Sequence, residues 1–196
     1  MIFKTFIIFL CISPFVFAQN TEVKIFKKEA QESFEYLNKF RNDPKLYGKE
    51  IGLELSEVRS SKALIWDETL AAQAEKKAID MASNNYFSHI DKRGYGMNYY
   101  VNKAGFTLPD YWLTDKTGNQ VESLGANSLG PDKFIQQLII DKGVDDKGHR
   151  IHLLSMNEFY SKNSHVGIGI AYNPNSYYKY YFCILLAPKN GKNLMD

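Results

Sequence analysis

Cysteine is scarce in this chain of 196 residues, which contains only Cys11 and Cys183. Two cysteines exclude the dense disulfide framework on which many small secreted domains depend. An excess of charge of one sign is also missing, because 24 basic residues stand against 22 acidic ones. A net charge this small gives no general attraction to nucleic acid or to an anionic membrane. Internal repeats, low-complexity stretches and linkers are absent as well, which favours a single globular domain.

The one long apolar run lies at the N-terminus, where Lys4 precedes an almost wholly apolar segment at residues 5–17. Val16 and Ala18 are small residues at the −3 and −1 positions of a cleavage site. This pattern predicts a signal peptide over residues 1–18 and export to a periplasm or the cell exterior. The run is too short for a transmembrane span, which needs about 20 apolar residues. Cleavage removes Cys11, and the apolar neighbours of Cys183 predict that its thiol packs in the core.

Residues 19–196 are expected to form one domain in which helices come first and strands last. Apolar residues at three- and four-residue spacing predict the helices, and alternation predicts the strands. Asp67 is a plausible N-cap, and Gly167 and Gly169 leave one strand face bare for close packing by a helix. The order predicts an α+β fold with an antiparallel sheet covered by helices. The predicted helices are 21–42, 67–85, 96–103, 131–141 and 149–154, and the predicted strands are 165–172 and 177–187.

Four histidines are the main candidates for chemistry, and His89 and His149 lie at the ends of predicted helices beside polar turns. Imidazole nitrogens with carboxylates suit zinc-like ions. Neither an HExxH nor a CxxC pattern is present, so spacing alone supports the site weakly. A hydrogen-bonded polar core that ties helices to the sheet is an equally physical interpretation.

Six segments, in order along the chain, resemble the CAP superfamily, also called the SCP domain family. The resemblance is to the bacterial, cysteine-poor branch. Tyr86-Phe87-Ser88-His89 is similar to the FSH segment of the family, and Gly148-His149-Arg150 opens its GHR motif. The segments are 37–44, 64–67, 86–89, 121–124, 141–154 and 165–171.

The resemblance implies an α-β-α sandwich whose central cavity holds two histidines and two acids and binds a divalent metal in some members. It carries His89 and His149 over as the metal ligands and Glu122 as the first acid, with zinc or another divalent cation weakly bound. Asp141 is the candidate for the second acid. The neighbours of Glu122 differ from the family pattern, since Val121 and Ser123 replace glycine and asparagine.

The function expected from the resemblance is a secreted binding module. Tyr95, Tyr99 and Trp112 flank a loop and are candidates for a groove that takes a small apolar or peptide ligand. The alternative is a hydrolase that uses metal-bound water, or Glu122 as the general base. His152, which replaces an expected asparagine, is expected at the surface or beside the site. Arg150 is expected to fix its loop by pairing with an acid.

Overall fold

The computed structural model describes residues 23–127, 130–131 and 133–188. The predicted signal peptide at 1–18 lies outside the described residues and stays a prediction. In the part that is described, no helix combines the length and the apolar character that crossing a membrane requires.

Most of the features predicted for the helices are present in the structure. Asp67 caps α3 by accepting hydrogen bonds from the backbone N–H groups of Thr69 and Leu70. A left-handed Asn85 ends the same helix, which confirms both of its predicted boundaries. A single 3₁₀ turn covers Asp110–Trp112 in the predicted loop. The helices are α1 (Lys27–Asn42), α2 (Pro44–Glu50), α3 (Glu68–Asn84), α4 (Met97–Lys103), α5 (Phe134–Ile140), α6 (Gly148–Leu154) and α7 (Glu158–Ser161).

The strands form one sheet in the order β1-β4-β5-β3, with β2 paired to β4. β4 and β5 are antiparallel neighbours in the middle, and β3 pairs antiparallel with β5 at the outer edge. The central strands are antiparallel as predicted, and the two-residue strand β2 adds one parallel pairing to β4. The strands are β1 (Lys24–Ile25), β2 (Ile65–Trp66), β3 (Glu122–Asn127), β4 (His165–Tyr172) and β5 (Tyr180–Ala187).

Two apolar clusters lie on the two faces of this sheet, so the fold is the predicted α-β-α sandwich. Helices α1, α5 and α6 pack against one face, where Phe134 stacks on Phe182. Helices α3 and α4 pack against the other, where Cys183 is fully buried as predicted. Close approach of α3 depends on glycine, because a Cβ at Gly167 would lie 2.0 Å from the backbone nitrogen of Ala71.

Three predicted boundaries are wrong. Helix α1 begins at Lys27 because the preceding residues 24–25 pair with β4, while the predicted start at Thr21 lies outside the described residues. Helix α5 begins at Phe134 rather than around Pro131, because Lys133 adopts a left-handed conformation with φ of 61° that a helix excludes. Strand β5 begins at Tyr180 rather than Tyr177, after the turn that starts at Asn173.

Candidate functional site

Strand β3 positions two residues of the site. It is the outer strand of the sheet, and side chains from both helical layers contact it. Neighbouring side chains on a strand point to opposite faces. Glu122 therefore points toward the α3 layer, and Ser123 toward the layer of α5 and α6. Each meets a histidine from its own layer: Glu122 contacts His89, and Ser123 contacts His152.

His89 follows α3 and is held by Glu122. Its Nδ1 lies 2.7 Å from Oε2 of Glu122, whose side chain has no exposed surface. The other carboxylate oxygen of Glu122 accepts a hydrogen bond from the Cys183 thiol at 3.5 Å. Burial raises the pKa of this thiol, and the Glu122 charge raises it further, so the thiol stays protonated and able to donate. The side-chain amide of Asn119 lies 2.8 Å from the same Nδ1 of His89.

His149 lies in the first turn of α6 and is held by Asp141, the residue that ends α5. Its ring Nδ1 is 2.7 Å from Oδ1 of Asp141, and its backbone N–H donates to Oδ2 at 3.0 Å. Asp141 is left-handed, with φ of 53°, a conformation that short polar residues such as aspartate tolerate better than most. The geometry thus supports Asp141, rather than Asp145 or Asp146, as the acid beside His149.

The two pairs share one arrangement, in which the carboxylate is buried and the imidazole is open. The side chains of His89 and His149 are 48% and 24% exposed, whereas those of Glu122 and Asp141 are 0% and 3% exposed. Donation from Nδ1 to a carboxylate leaves the lone pair on Nε2, on the far side of each ring. Each imidazole is thus oriented by a buried carboxylate at Nδ1 and is partly exposed.

His152 is buried beside this site instead of lying at the surface. Its Nδ1 is 2.7 Å from the Ser123 hydroxyl, and its Nε2 is buried with no hydrogen-bond partner among the described residues. Burial lowers the pKa of His152 to about 3, with the charges of His149, Arg41 and His89 adding to the effect. His152 is therefore neutral at physiological pH, and both exposed histidines lie within electrostatic reach of it.

Two arginines fix α6 through carbonyl groups rather than through acids. Arg150 donates to the backbone oxygens of Ile139 and Ile140 at 2.6 and 2.8 Å, which corrects the expectation that it pairs with an acid. Arg41, only 1% exposed, donates to Leu153 O at 2.6 Å at the other end of the helix. Burial lowers the pKa of Arg41 to about 10, so it stays charged at neutral pH.

The aromatic residues predicted to line one groove make different ring contacts. Tyr95 packs against Tyr99 with ring centroids 4.3 Å apart, and the backbone N–H of the adjacent Gly96 donates to Lys116 O. Trp112 is only 3% exposed and stacks on Phe159 at 5.4 Å. Tyr95 therefore lies beside the loop that leads to Asn119, and the Trp112 ring packs against α7.

In residues 23–127, 130–131 and 133–188, no group of three or more His, Cys, Asp or Glu side chains could hold a metal ion. Each of the two buried carboxylates is instead bonded to an imidazole.

Several polar residues near the site were not predicted from the sequence. Ser123 and Asn119 follow no recognisable spacing relative to His152 and His89, and only the fold brings them together. Arg41 lies in the first predicted helix and was not singled out there, yet it is among the largest fully buried side chains. The signals available in the sequence were its place after Phe40 and within the family-like segment 37–44.

The fold and the site together define a class: an α-β-α sandwich with a histidine–carboxylate pair from each helical layer at its sheet edge. Residues 34–185 match the family model of the cysteine-rich secretory protein family, CAP. The chain belongs to the CAP family. No curated protein matches the chain.

Solved structures give similar folds at low identity. An outer surface protein from Borrelia burgdorferi is 14% identical with a TM-score of 0.58, over 86% of this chain and 100% of the other. An extracellular protein containing an SCP domain from Bacillus anthracis is 20% identical with a TM-score of 0.49, over 82% of this chain and 42% of the other. The first of these likenesses supports the fold alone.

Proposed function

We propose that this CAP protein is exported and acts as a binding module that holds one divalent cation weakly between His89 and His149. The observation that carries the proposal is the repeated arrangement of a buried carboxylate behind an exposed imidazole. Zinc or a similar ion would bind to Nε2 of each ring, and water would complete the coordination. The cation would supply a Lewis-acidic point at which a carbonyl or carboxylate of a ligand could bind.

The paired carboxylates suit this role because they fix ring orientation and tautomer. A histidine ligand usually donates its second N–H to a carboxylate or carbonyl, and removal of that partner weakens metal binding about 10–100-fold. Two protein ligands are fewer than the three or four of most zinc sites, so we expect weak affinity.

A ligand groove next to the cation is the second part of the proposal. Tyr95 and Tyr99 border the loop that reaches His89, and both are partly exposed. Flat aromatic surface beside a cation suits a small peptide or apolar ligand with one polar end. Trp112 contributes little surface to it because its ring is buried.

Calorimetric titration of the purified protein with Zn²⁺ tests the cation site. We expect one ion per chain, with binding abolished in His89→Asn, in His149→Asn and in the double variant. Asp145→Asn is the matched control, because Asp145 is exposed in the turn before α6 and lies outside the proposed set. Unchanged heat in either histidine variant would contradict a shared site, and absence of heat with the parent protein would leave the hydrogen-bonded polar core as the role of these residues.

One observation favours hydrolysis as a second candidate. His89 is oriented by a buried carboxylate and exposed on its other side, which is the arrangement of a general base and its orienting acid. Glu122 itself is fully buried and would act through His89 rather than on water directly. Incubation with a broad peptide library, with and without Zn²⁺, tests this activity. Cleavage that is lost in His89→Asn supports hydrolysis, and no cleavage under either condition rejects it for peptides.

A further inference from the structure

The outer edge of β4 is covered by other strands at its two ends and open in the middle. β2 pairs with the first two residues of β4, and β1 pairs with the last two. Two further backbone hydrogen bonds close these ends, from Asp67 N–H to Val166 O at 2.9 Å and from Phe26 N–H to Ile170 O at 3.0 Å. Between these two bonds, no described strand lies beside β4 on this edge.

Ile168 directs its backbone polar groups to the open stretch. In a strand, the N–H and C=O of one residue point to one edge, and those of the next residue point to the other. Val166 and Ile170 direct their carbonyl groups to the outer edge, so Ile168, midway between them, does the same. Across the part of the chain that the structure describes, neither the N–H nor the C=O of Ile168, nor the N–H of Ile170, has a hydrogen-bond partner.

These three backbone groups are buried, since Ile168 is 3% exposed and Ile170 is 1% exposed. A buried backbone group that lacks a partner costs free energy, and nearly all such groups in proteins are paired. The groups follow one another along the edge as donor, acceptor and donor. They therefore require a polar group that the described residues do not supply, either from water or from a ligand.

A cavity of about 360 Å³ opens onto this stretch of β4. Residues 168–170 line it from β4, Ala30 and Gln31 line it from α1, and Ala71 and Ala72 line it from α3. We call it the β4-edge cavity. Its volume lies in the range of about 300–1,000 Å³ that is typical of small-molecule sites. The cavity thus has room for a ligand beside the unpaired backbone groups.

The charged side chains around the β4-edge cavity balance one another. Two lysines and two glutamates line it, namely Lys27, Lys76, Glu68 and Glu75. Nζ of Lys27 on α1 lies 3.7 Å from the Glu75 carboxylate on α3. Glu68 accepts a hydrogen bond from the Trp66 indole at 3.0 Å. Because the two signs of charge are equal in number, the cavity favours an uncharged polar ligand.

We propose that the β4-edge cavity binds the peptide group of a short uncharged peptide, which pairs with Ile168 as an added strand would. The N–H of one ligand residue donates to Ile168 O. Its C=O accepts from the N–H of Ile168 or of Ile170, according to the direction of the ligand chain. An aliphatic side chain of the ligand contacts the apolar surface of Phe26 and Trp66, which also line the cavity.

The ligand is short because β1 and β2 occupy both ends of the edge. At about 3.3 Å per residue, the open stretch takes a segment of about two or three residues. The site is independent of the proposed cation, since β5 separates β4 from the strand that carries Glu122.

Titration of the full-length protein with N-acetyl-L-leucine N′-methylamide, followed by ¹H–¹⁵N NMR, tests the pairing. We expect saturable shifts of the N–H groups of Ile168 and Ile170, while the amides of β3 stay unchanged. The matched probe is the ester analogue, in which oxygen replaces the leucine N–H. It leaves Ile168 O unpaired and should bind about fivefold or more weakly. Equal affinity of the two probes, or no saturable shift at the two amides, would overturn the proposal.

Two variants locate the binding. Ala72→Leu narrows the cavity from α3 and Gln31→Trp narrows it from α1, and both positions are exposed, so the core stays intact. Each should weaken binding of the leucine diamide about tenfold. Ala104→Leu is the matched control, because Ala104 is exposed at the end of α4 and does not line the cavity. This control and His89→Asn should bind as the parent does. Unchanged affinity in both cavity variants would place the ligand elsewhere and reject the site.

Discussion

Asp141 accepts hydrogen bonds from two groups of the same residue, the ring Nδ1 and the backbone N–H of His149, at 2.7 and 3.0 Å. One buried carboxylate therefore sets both the first turn of α6 and the orientation of the imidazole. The orientation of His149 is thus tied to the helix that carries it, and a change at Asp141 should affect stability and ligand binding together.

Asp141→Asn tests this coupling while keeping the left-handed backbone, which asparagine tolerates. The amide can replace one accepting oxygen but not the charge. We expect the free energy of unfolding to fall by about 1–2 kcal/mol and zinc affinity to fall about 10-fold or more. Urea unfolding and calorimetry measure the two effects. Asp145→Asn should change neither, and an unaffected zinc affinity in Asp141→Asn would show that the carboxylate does not orient the ring.

The buried His152 predicts a pH dependence of stability. Its pKa is about 3 in the folded protein against an ordinary value of 6.5, so between these values only the unfolded chain is protonated. The contribution of this group to stability is complete above pH 6.5 and is lost as the pH falls toward 3.

His152→Asn should remove that dependence while retaining a side chain that can bond to Ser123. Between pH 7 and 5, the free energy of unfolding of the parent should fall by about 2 kcal/mol more than that of the variant. Urea unfolding at both pH values gives the comparison. Parallel pH profiles for the two proteins would mean that His152 titrates alike in the folded and unfolded states, which would contradict its lowered pKa.

Arg41 stabilises the C-terminal end of α6 through carbonyl and hydroxyl oxygens. Its guanidinium donates to Leu153 O, to the Ser155 hydroxyl and twice to Lys62 O. Lysine cannot make this forked set, so Arg41→Lys should lower the free energy of unfolding by about 2–4 kcal/mol. The exposed Lys39→Met on the same helix serves as the control and should stay within about 0.5 kcal/mol. If Arg41→Lys lowered the free energy of unfolding as little as the control does, the positive charge alone would account for the contribution of Arg41.

Contact between α3 and β4 leaves no room for a side chain at Gly169. An added Cβ would lie 2.3 Å from the backbone of Ala74 and Glu75. Gly169→Ala should therefore cost about 3 kcal/mol or more, or prevent folding. Gly52→Ala separates crowding from backbone strain, because Gly52 has φ of 69° but open space around it. This variant should lower the free energy of unfolding by about 1–2 kcal/mol. Thermal unfolding ranks the two; similar losses would contradict the packing argument.

The helices and central strands were predictable because they rest on local signals. The Asp67 cap, the three- and four-residue apolar spacing and the alternation in β4 each act over a few residues, and the structure confirms them. The 2-residue strands β1 and β2 were not predictable, since their pairing depends wholly on the distant β4. The start of α5 was missed because Lys133 takes a left-handed conformation that lysine does not signal.

The candidate site was predictable only in its histidines and acids, through the family resemblance. Glu122 and Asp141 meet the expected imidazoles, which no spacing rule on the sequence could establish. Ser123 and Arg41 were overlooked because burial of a polar side chain is decided by tertiary packing. The burial of such groups can be recognised only once the helices and strands around them have been placed.

The central claim is that the two exposed imidazoles bind one cation jointly. The most direct measurement is a ¹⁵N-detected NMR titration of histidine side chains with Zn²⁺. The account predicts that Nε2 of His89 and of His149 shift together, complete at one ion per chain, while His152 keeps its own Nε2 resonance. Shifts of the two rings at different zinc concentrations, or of only one ring, would contradict it.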